Sequence, residues 1–234
     1  MAIGAHPDDM EILAAGTFLR LNSLGRRGIL VDLTDGGAGT RGTAKIRARE
    51  ATSAAKNLGM ERVTLDEKDG WVHNSLEAQG KLMEVIRHYR PRILFTHHFM
   101  EEHPDHEHTA HLVKAATFRA GLQKLDCPGE PWRPKRIFHG IGIEAHAPSF
   151  CIDVTPWWDK KIQVLQCYQS QFHNPKSSQF QGQTDLARPA FLEALEIRGR
   201  FWGARIKRRY AEAFWCSEIA EVADPTSLGE DRYP

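Results

Sequence analysis

Apolar positions in the first half of the chain switch between a helical spacing and short continuous runs. Ile12, Leu13, Phe18, Leu19 and Leu24 recur at helical spacing, and the stripe stops near Gly25. The run ILVDLT at 29–34 has the length and continuity of a buried strand. Residues 43–58 return to a helical pattern closed by Gly59, and 62–65 form a short strand. Asn74, with Glu77 three residues later, is expected to cap a helix that runs through Tyr89 and cannot pass Pro91. RILFT at 92–96 reads as a strand and 107–122 as a helix. This alternation predicts an α/β fold of three layers, with a mostly parallel central sheet flanked by helices.

The second half is less regular. Residues 137–144 and 150–154 read as strands, and 156–172 as a helix with Pro156 in its first turn. A polar loop follows over 173–188, then a helix over 189–208 and a last strand over 210–216. With no repeat and no linker, 1–222 is read as one domain. The stretch 223–234, rich in Asp, Pro and Gly, is read as a flexible tail.

Composition narrows the classes. Among 234 residues, 31 Lys and Arg stand against 30 Asp and Glu, a balance that argues against a nucleic-acid binder. No run of 18 apolar residues offers a membrane span. The first residues hold no signal-peptide pattern, and the four cysteines are scattered without a CxxC pair, with Cys151 and Cys216 in apolar runs. These features point to free thiols and a cytoplasmic protein. The 12 histidines are the departure, since neither solubility nor packing calls for them.

Two tetrapeptides collect that histidine beside carboxylates: His6-Pro7-Asp8-Asp9 and His103-Pro104-Asp105-His106. Each opens an expected helix after an expected strand, which in a parallel sheet places both at the carboxyl ends where ligands bind. His6 and Asp9 are spaced to aim at one point. With His106 they make a set of ligands for zinc, or another divalent metal, that leaves a position for water. Asp8 is then free to act as general base, and His103, with Asp105 fixing its tautomer, to stabilise an oxyanion or protonate a leaving amine. The plain alternative makes Asp8 or Asp105 a helix cap and Pro7 and Pro104 helix-start prolines, but capping has no need of three histidines. His73, His88, His139, His146 and His173 lack carboxylate company and read as surface or core residues. His108 and His111 read as solvated, and one of His97 and His98 could line the pocket.

Gly37-Ala38-Gly39-Thr40-Arg41-Gly42 spells GxGxxG after a strand, formally a dinucleotide fingerprint. It follows the second strand rather than the first and sits in a longer loop, so a flexible loop over a substrate pocket is the plainer reading. Arg47 and Glu50 on the next helix are either a surface ion pair or an arginine aimed at the pocket with Glu50 holding its fork.

AHPDDME at 5–11, GTRGTAKIRARE at 39–50, HPDH at 103–106, YQSQF at 168–172 and YAEAF at 210–214 together resemble the LmbE-like (PIG-L) zinc deacetylases. Within that family the likeness is to the bacillithiol-biosynthesis deacetylases, which act on N-acetylglucosaminyl-malate. The resemblance implies a Rossmann-like fold, zinc on His6, Asp9 and His106, Asp8 as base, and His103 beside the tetrahedral intermediate with Asp105 behind it. It also implies Arg47 as a substrate-binding residue and Tyr168 as a group reaching the oxyanion, although a helix-face tyrosine is equally often packing. It carries no nicotinamide cofactor, an N-acetylglucosaminide as substrate, and a homo-oligomer, with hexamers among its relatives. The strand before His6 is short for the family, which suggests a native start upstream of Met1. Glu102 stands where relatives often carry a basic residue, which weakens the malate assignment. Two other readings are an LmbE-like amidase for thiol conjugates or other amino sugars, and a nucleotide-binding oxidoreductase using the Gly37–Gly42 loop.

Overall fold

Ala2–Gly4 form β1 inside a seven-stranded sheet in the computed structural model, which describes residues 1–142, 147–173, 184–219 and 221–224. The other strands are β2 (Ile29–Asp32), β3 (Glu61–Thr64), β4 (Ile93–Thr96), β5 (Arg136–Gly140), β6 (Phe150–Asp153) and β7 (Ala211–Trp215). They lie in the order β3-β2-β1-β4-β5-β7-β6, with β1 to β5 parallel and β7 antiparallel to both its neighbours. The helices are α1 (Asp9–Ser23), α2 (Ala44–Leu58), α3 (Leu76–Tyr89), α4 (Pro104–Ala120), α5 (Trp158–Leu165) and α6 (Pro189–Arg205).

Side-chain alternation along the strands divides the core in two. Ala2, Leu30 and Phe95 pack on one face with α1, α2 and α5, whereas Ile3, Val31 and Leu94 pack on the other with α3 and α4. The expected α/β sandwich is thus present. Its strand order reverses between β1 and β4, because β2 and β3 leave on one side of β1 and β4 and β5 on the other. The crevice above the carboxyl ends of those two strands is where a sheet of this kind receives ligands, and both histidine motifs follow strands that end there.

Helix ends follow local chemistry, with three differences from expectation. Ser75, not Asn74, caps α3 by accepting from Ala78 N, while the Asn74 side chain accepts from Gln79. The helix expected from 107 begins at Pro104, because His103 supplies the cap and proline tolerates the first turn. The helix expected over 156–172 is a 3₁₀ turn at Thr155–Trp157 followed by α5, which stops at Leu165. Beyond it Tyr168 and Phe172 remain buried, so the apolar spacing persists while the chain turns and Ser170 bonds elsewhere. His146, most of the 173–188 loop and most of the 223–234 tail lie outside the described residues. Among the described residues no helix is long and apolar enough to cross a membrane.

A buried ion pair ties α1 to the far side of the sheet. Lys161 Nζ, on α5, lies 2.6 Å from Glu212 Oε1 on β7 and donates to Ile12 O at 2.8 Å. Glu212 in turn accepts from Gly16 N at 3.0 Å and Thr17 N at 2.7 Å in the middle of α1. Glu212→Ala leaves a buried ammonium without its counter-charge, an effect of about 3–5 kcal/mol. Urea unfolding should show that loss, and Lys161→Met added to it should recover much of it. A loss below about 1 kcal/mol would show that the pair does not anchor α1.

Candidate active site

The turn after β1 is built for close approach. A Cβ on Gly4 would come 3.1 Å from Asp9 Cβ and 3.3 Å from His6 O, so any larger residue would press on the motif. Asp8 then takes φ 103°, a left-handed conformation that costs of order 1 kcal/mol for a residue with a side chain. Its carboxylate makes no capping bond to α1, which removes the capping explanation for this residue. Asp9 instead folds back, and its Oδ2 accepts from His6 N at 2.7 Å. The positive amino end of α1 favours this charge.

The second motif meets the first across the crevice. His106 Nε2 lies 3.2 Å from Asp9 Oδ1, and His6 Nδ1 lies 3.3 Å from Asp9 Oδ2. The rings of His6 and His106 are 5.4 Å apart, with His103 5.0 Å from His6 and 4.5 Å from His106. Three overlapping sets, His6 with His103 and His106, Asp9 with His97 and His106, and His6 with Asp69 and Asp105, each bring their ligand atoms within 4.8 Å of one another. Burial alone would raise the Asp9 carboxyl, but His106, His97 and His6 outweigh it and hold the group well below its usual range. Burial likewise opposes the His106 cation, and Asp9 and Glu101 overcome it to raise the ring to about 10. So compact a set of imidazole and carboxylate donors suits a divalent first-row cation.

Carboxylates stand behind both rings. Glu101 Oε2 is 2.7 Å from His106 Nδ1, which turns the other nitrogen toward Asp9. His6 Nε2 meets Asp69 Oδ1 at 3.1 Å and Asp105 Oδ2 at 3.3 Å, leaving Nδ1 beside Asp9. Asp105 is itself held by Gly70 N at 2.8 Å and Val72 N at 3.2 Å. This corrects the expectation that Asp105 orients His103: it orients His6. The His103 tautomer is set by the backbone, since its Nδ1 accepts from Asp105 N at 3.2 Å and the hydrogen of the neutral ring therefore sits on Nε2. Burial, then His106 and His6, lower the pKa of this ring, and its residue is exposed to solvent.

Sequence reasoning missed Asp69 and Glu101 and left His97 open. His97 is fully buried, lies 3.1 Å from Asp9 Oδ2 and stacks on His106 at 3.9 Å. His98 turns toward Trp215 instead. The acidic pair before the second motif was a usable signal for Glu101. Asp69 had none of its own, being one of three carboxylates in the Asp66-Glu67-Lys68-Asp69 stretch after β3.

Arg47 reaches the site but not as expected. Its Nη2 donates to Pro7 O at 2.7 Å and to Asp8 Oδ2 at 3.1 Å, and its Nη1 to Gly36 O at 2.8 Å. Both terminal nitrogens of the fork thus bond protein acceptors, one of them the Asp8 carboxylate, while the buried Nε has no hydrogen-bond partner among the described residues. Glu50 does not hold it; that carboxylate takes Ser170 N at 2.7 Å and Ser170 Oγ at 2.6 Å. Burial is the chief reason the Asp8 carboxyl rises to about 7, against the pull of Arg47. Tyr168 is corrected as well: fully buried, it donates to Glu11 Oε1 at 2.6 Å. Glu11 is paired with Arg62, which also grips Asp32, so this tyrosine is engaged in a buried hydrogen-bonded network.

The glycine loop is neither a phosphate cradle nor a free flap. Gly36 N donates to Thr34 Oγ1 at 3.2 Å, Gly37 N to Asp35 Oδ1 at 2.8 Å and Ala38 N to Asp69 Oδ2 at 2.8 Å. A pyrophosphate would have to displace two carboxylates to reach those amides. Gly36 has φ 68°, and a Cβ there would run into the Arg47 guanidinium. At the other end Arg41 Nε donates to Ser170 O at 2.7 Å and Gln171 Nε2 to Arg41 O at 2.8 Å, so YQSQF latches the loop.

Comparison with known proteins agrees with this geometry. The family model described as PIG-L, GlcNAc-PI de-N-acetylase, matches residues 1–117, which contain both histidine motifs. The diacetylchitobiose deacetylase of Thermococcus kodakarensis is 29% identical over 74% of this chain and 69% of its own. The 1D-myo-inositol 2-acetamido-2-deoxy-alpha-D-glucopyranoside deacetylase of Nocardiopsis dassonvillei is 27% identical over 59% of this chain and 61% of its own. The crystal structure of the conserved protein TT1542 from Thermus thermophilus superposes with a TM-score of 0.85, at 32% identity over 94% of this chain and 95% of that one. None of the three is described as a bacillithiol deacetylase, so the likeness holds for the family and not for that subgroup. With both motifs inside the matched segment and their side chains gathered at one crevice, the chain belongs to the PIG-L family of deacetylases, enzymes that hydrolyse an amide bond.

Proposed function

We propose that this deacetylase removes the acetyl group from the 2-acetamido nitrogen of an N-acetylglucosamine glycoside, with zinc held by His6, Asp9 and His106. The observation that carries the reading is the meeting of those three side chains around Asp9, with Asp8 adjoining them and His103 above. Two imidazoles, a carboxylate and carboxylates behind both rings match the donor chemistry of zinc in hydrolases. Bound there, zinc supplies Lewis acidity to a water molecule and to the acetamide carbonyl.

The remaining chemistry falls to this chain's own residues. Asp8, anchored by Arg47, takes the proton of the attacking water. His103 presents Nε2–H to the oxygen that becomes negative as the carbonyl carbon turns tetrahedral. Collapse breaks the C–N bond, acetate departs, and the amine nitrogen takes up the proton that Asp8 received. Glu101 and Asp105 act through His106 and His6 and are positioning residues. The curated relatives named for two-ring N-acetylglucosaminides support a glycoside as substrate. N-acetylglucosaminyl-malate is the alternative that YQSQF and YAEAF favour, while the exposed acid Glu102 beside the second motif disfavours a dicarboxylate.

Acetate release should be measured on N,N'-diacetylchitobiose, N-acetylglucosamine and N-acetylglucosaminyl-malate; turnover of none of them would refute the reading. Asp8→Asn should keep its zinc and lose roughly 10²–10⁴ in kcat. His106→Ala should lose the metal, and elemental analysis showing full zinc in that variant would contradict the ligand set. Glu101→Gln should weaken zinc affinity roughly 10- to 100-fold in a chelator competition while leaving the fold intact by circular dichroism.

A further inference from the structure

The loop that carries Asp69 also carries a tryptophan with no place in the reaction so far described. Asp69 meets His6 at 3.1 Å, and the next residues clamp the site from the main chain, Gly70 N and Val72 N both donating to Asp105. Val72 is fully buried, and Trp71 N donates to Lys68 O at 3.0 Å. The segment is therefore held on both sides of Trp71. Yet the Trp71 residue is 63% exposed, unusual for a side chain that is ordinarily well buried. Lys68 Nζ stands 5.4 Å from the centre of its ring.

We propose that Trp71 is a specificity residue of the deacetylase, its indole stacking on the ring joined to the N-acetylglucosamine unit. This rests on the reading that the substrate is a glycoside. The ring being deacetylated must place its acetamide among His6, Asp9 and His106. Two residues of chain span at most about 7 Å, so the Trp71 backbone lies within about one sugar ring of Asp69, which touches His6. A pyranose or cyclitol presents a face of C–H groups bordered by hydroxyls. That matches a flat apolar indole with an N–H at its edge and the Lys68 ammonium over its ring. Because the main chain is already fixed, binding against this indole orders little else, which is the condition under which one aromatic contact dominates affinity.

Trp71→Ala should raise KM for N,N'-diacetylchitobiose roughly tenfold and leave kcat within about twofold. The kinetics on N-acetylglucosamine, which has no second ring, should not change, and Trp71→Phe should restore most of the loss. An equal loss on both sugars, or none on either, overturns the proposal. Calorimetric titration of the same proteins with chitobiose and glucosamine, the deacetylated sugars, reads the contact without turnover. If the wild type releases acetate from neither sugar, the glycoside reading fails. A selective loss of chitobiose affinity in Trp71→Ala would still support the stacking role, and equal affinities or no chitobiose binding would overturn it.

Discussion

The Asp9 carboxylate accepts the His6 amide at 2.7 Å and faces the rings of His97, His106 and His6 at 3.1, 3.2 and 3.3 Å. Its own segment follows β1, whereas His97 and His106 follow β4, and no other pair of strands adjoins at the point where the sheet order reverses. A buried carboxylate is stable only with positive charge or hydrogen-bond donors around it. Asp8, Asp69, Glu101 and Asp105 sharpen that need by crowding further negative charge into the same crevice. Protonated imidazoles meet it, as the raised pKa of His106 and His6 shows, and a divalent cation meets it with neutral rings. The carboxylates of the site thus create a demand for positive charge that the proposed divalent cation would meet.

Around that centre the charged groups act in layers. Arg47 joins the glycine loop to Asp8, and Asp69 joins the same loop to His6, so Asp8 and His6 are both tied to one segment. YQSQF fastens the loop's far end through Ser170 and Gln171. Beneath it, Tyr168 and Arg62 bond Glu11, and Arg62 also grips Asp32, in one buried network. The motifs that looked like substrate contacts are mostly supports for the side chains that face the crevice.

Much of this was legible in the residues themselves. Alternation of apolar runs with helical stripes is a local consequence of strand and helix geometry, and it yielded the layers and most element bounds. Gly59 marks a helix end because it adopts φ 66° without strain, and Pro104 marks a helix start because the first turn does not need its missing N–H. HPDD and HPDH announced a metal hydrolase because few other demands place histidine and aspartate so close together. The helix assigned over 156–172 failed for an equally physical reason. Burial of Tyr168 and Phe172 mimics helical spacing even where Ser170 has turned away to Glu50.

Sequence alone determined which side chains are gathered: the histidines and aspartates of the two motifs and the α/β frame that puts them at strand ends. Only the tertiary structure decided which carboxylate stands behind which ring. Asp105 lies two residues from His103 yet serves His6, and Arg47 lies three from Glu50 yet serves Asp8. Spacing along a chain limits which side chains can meet, but the choice among reachable partners is made by burial. A charge removed from water takes whichever counter-charge the packed elements bring nearest, and that neighbour is set by the fold as a whole.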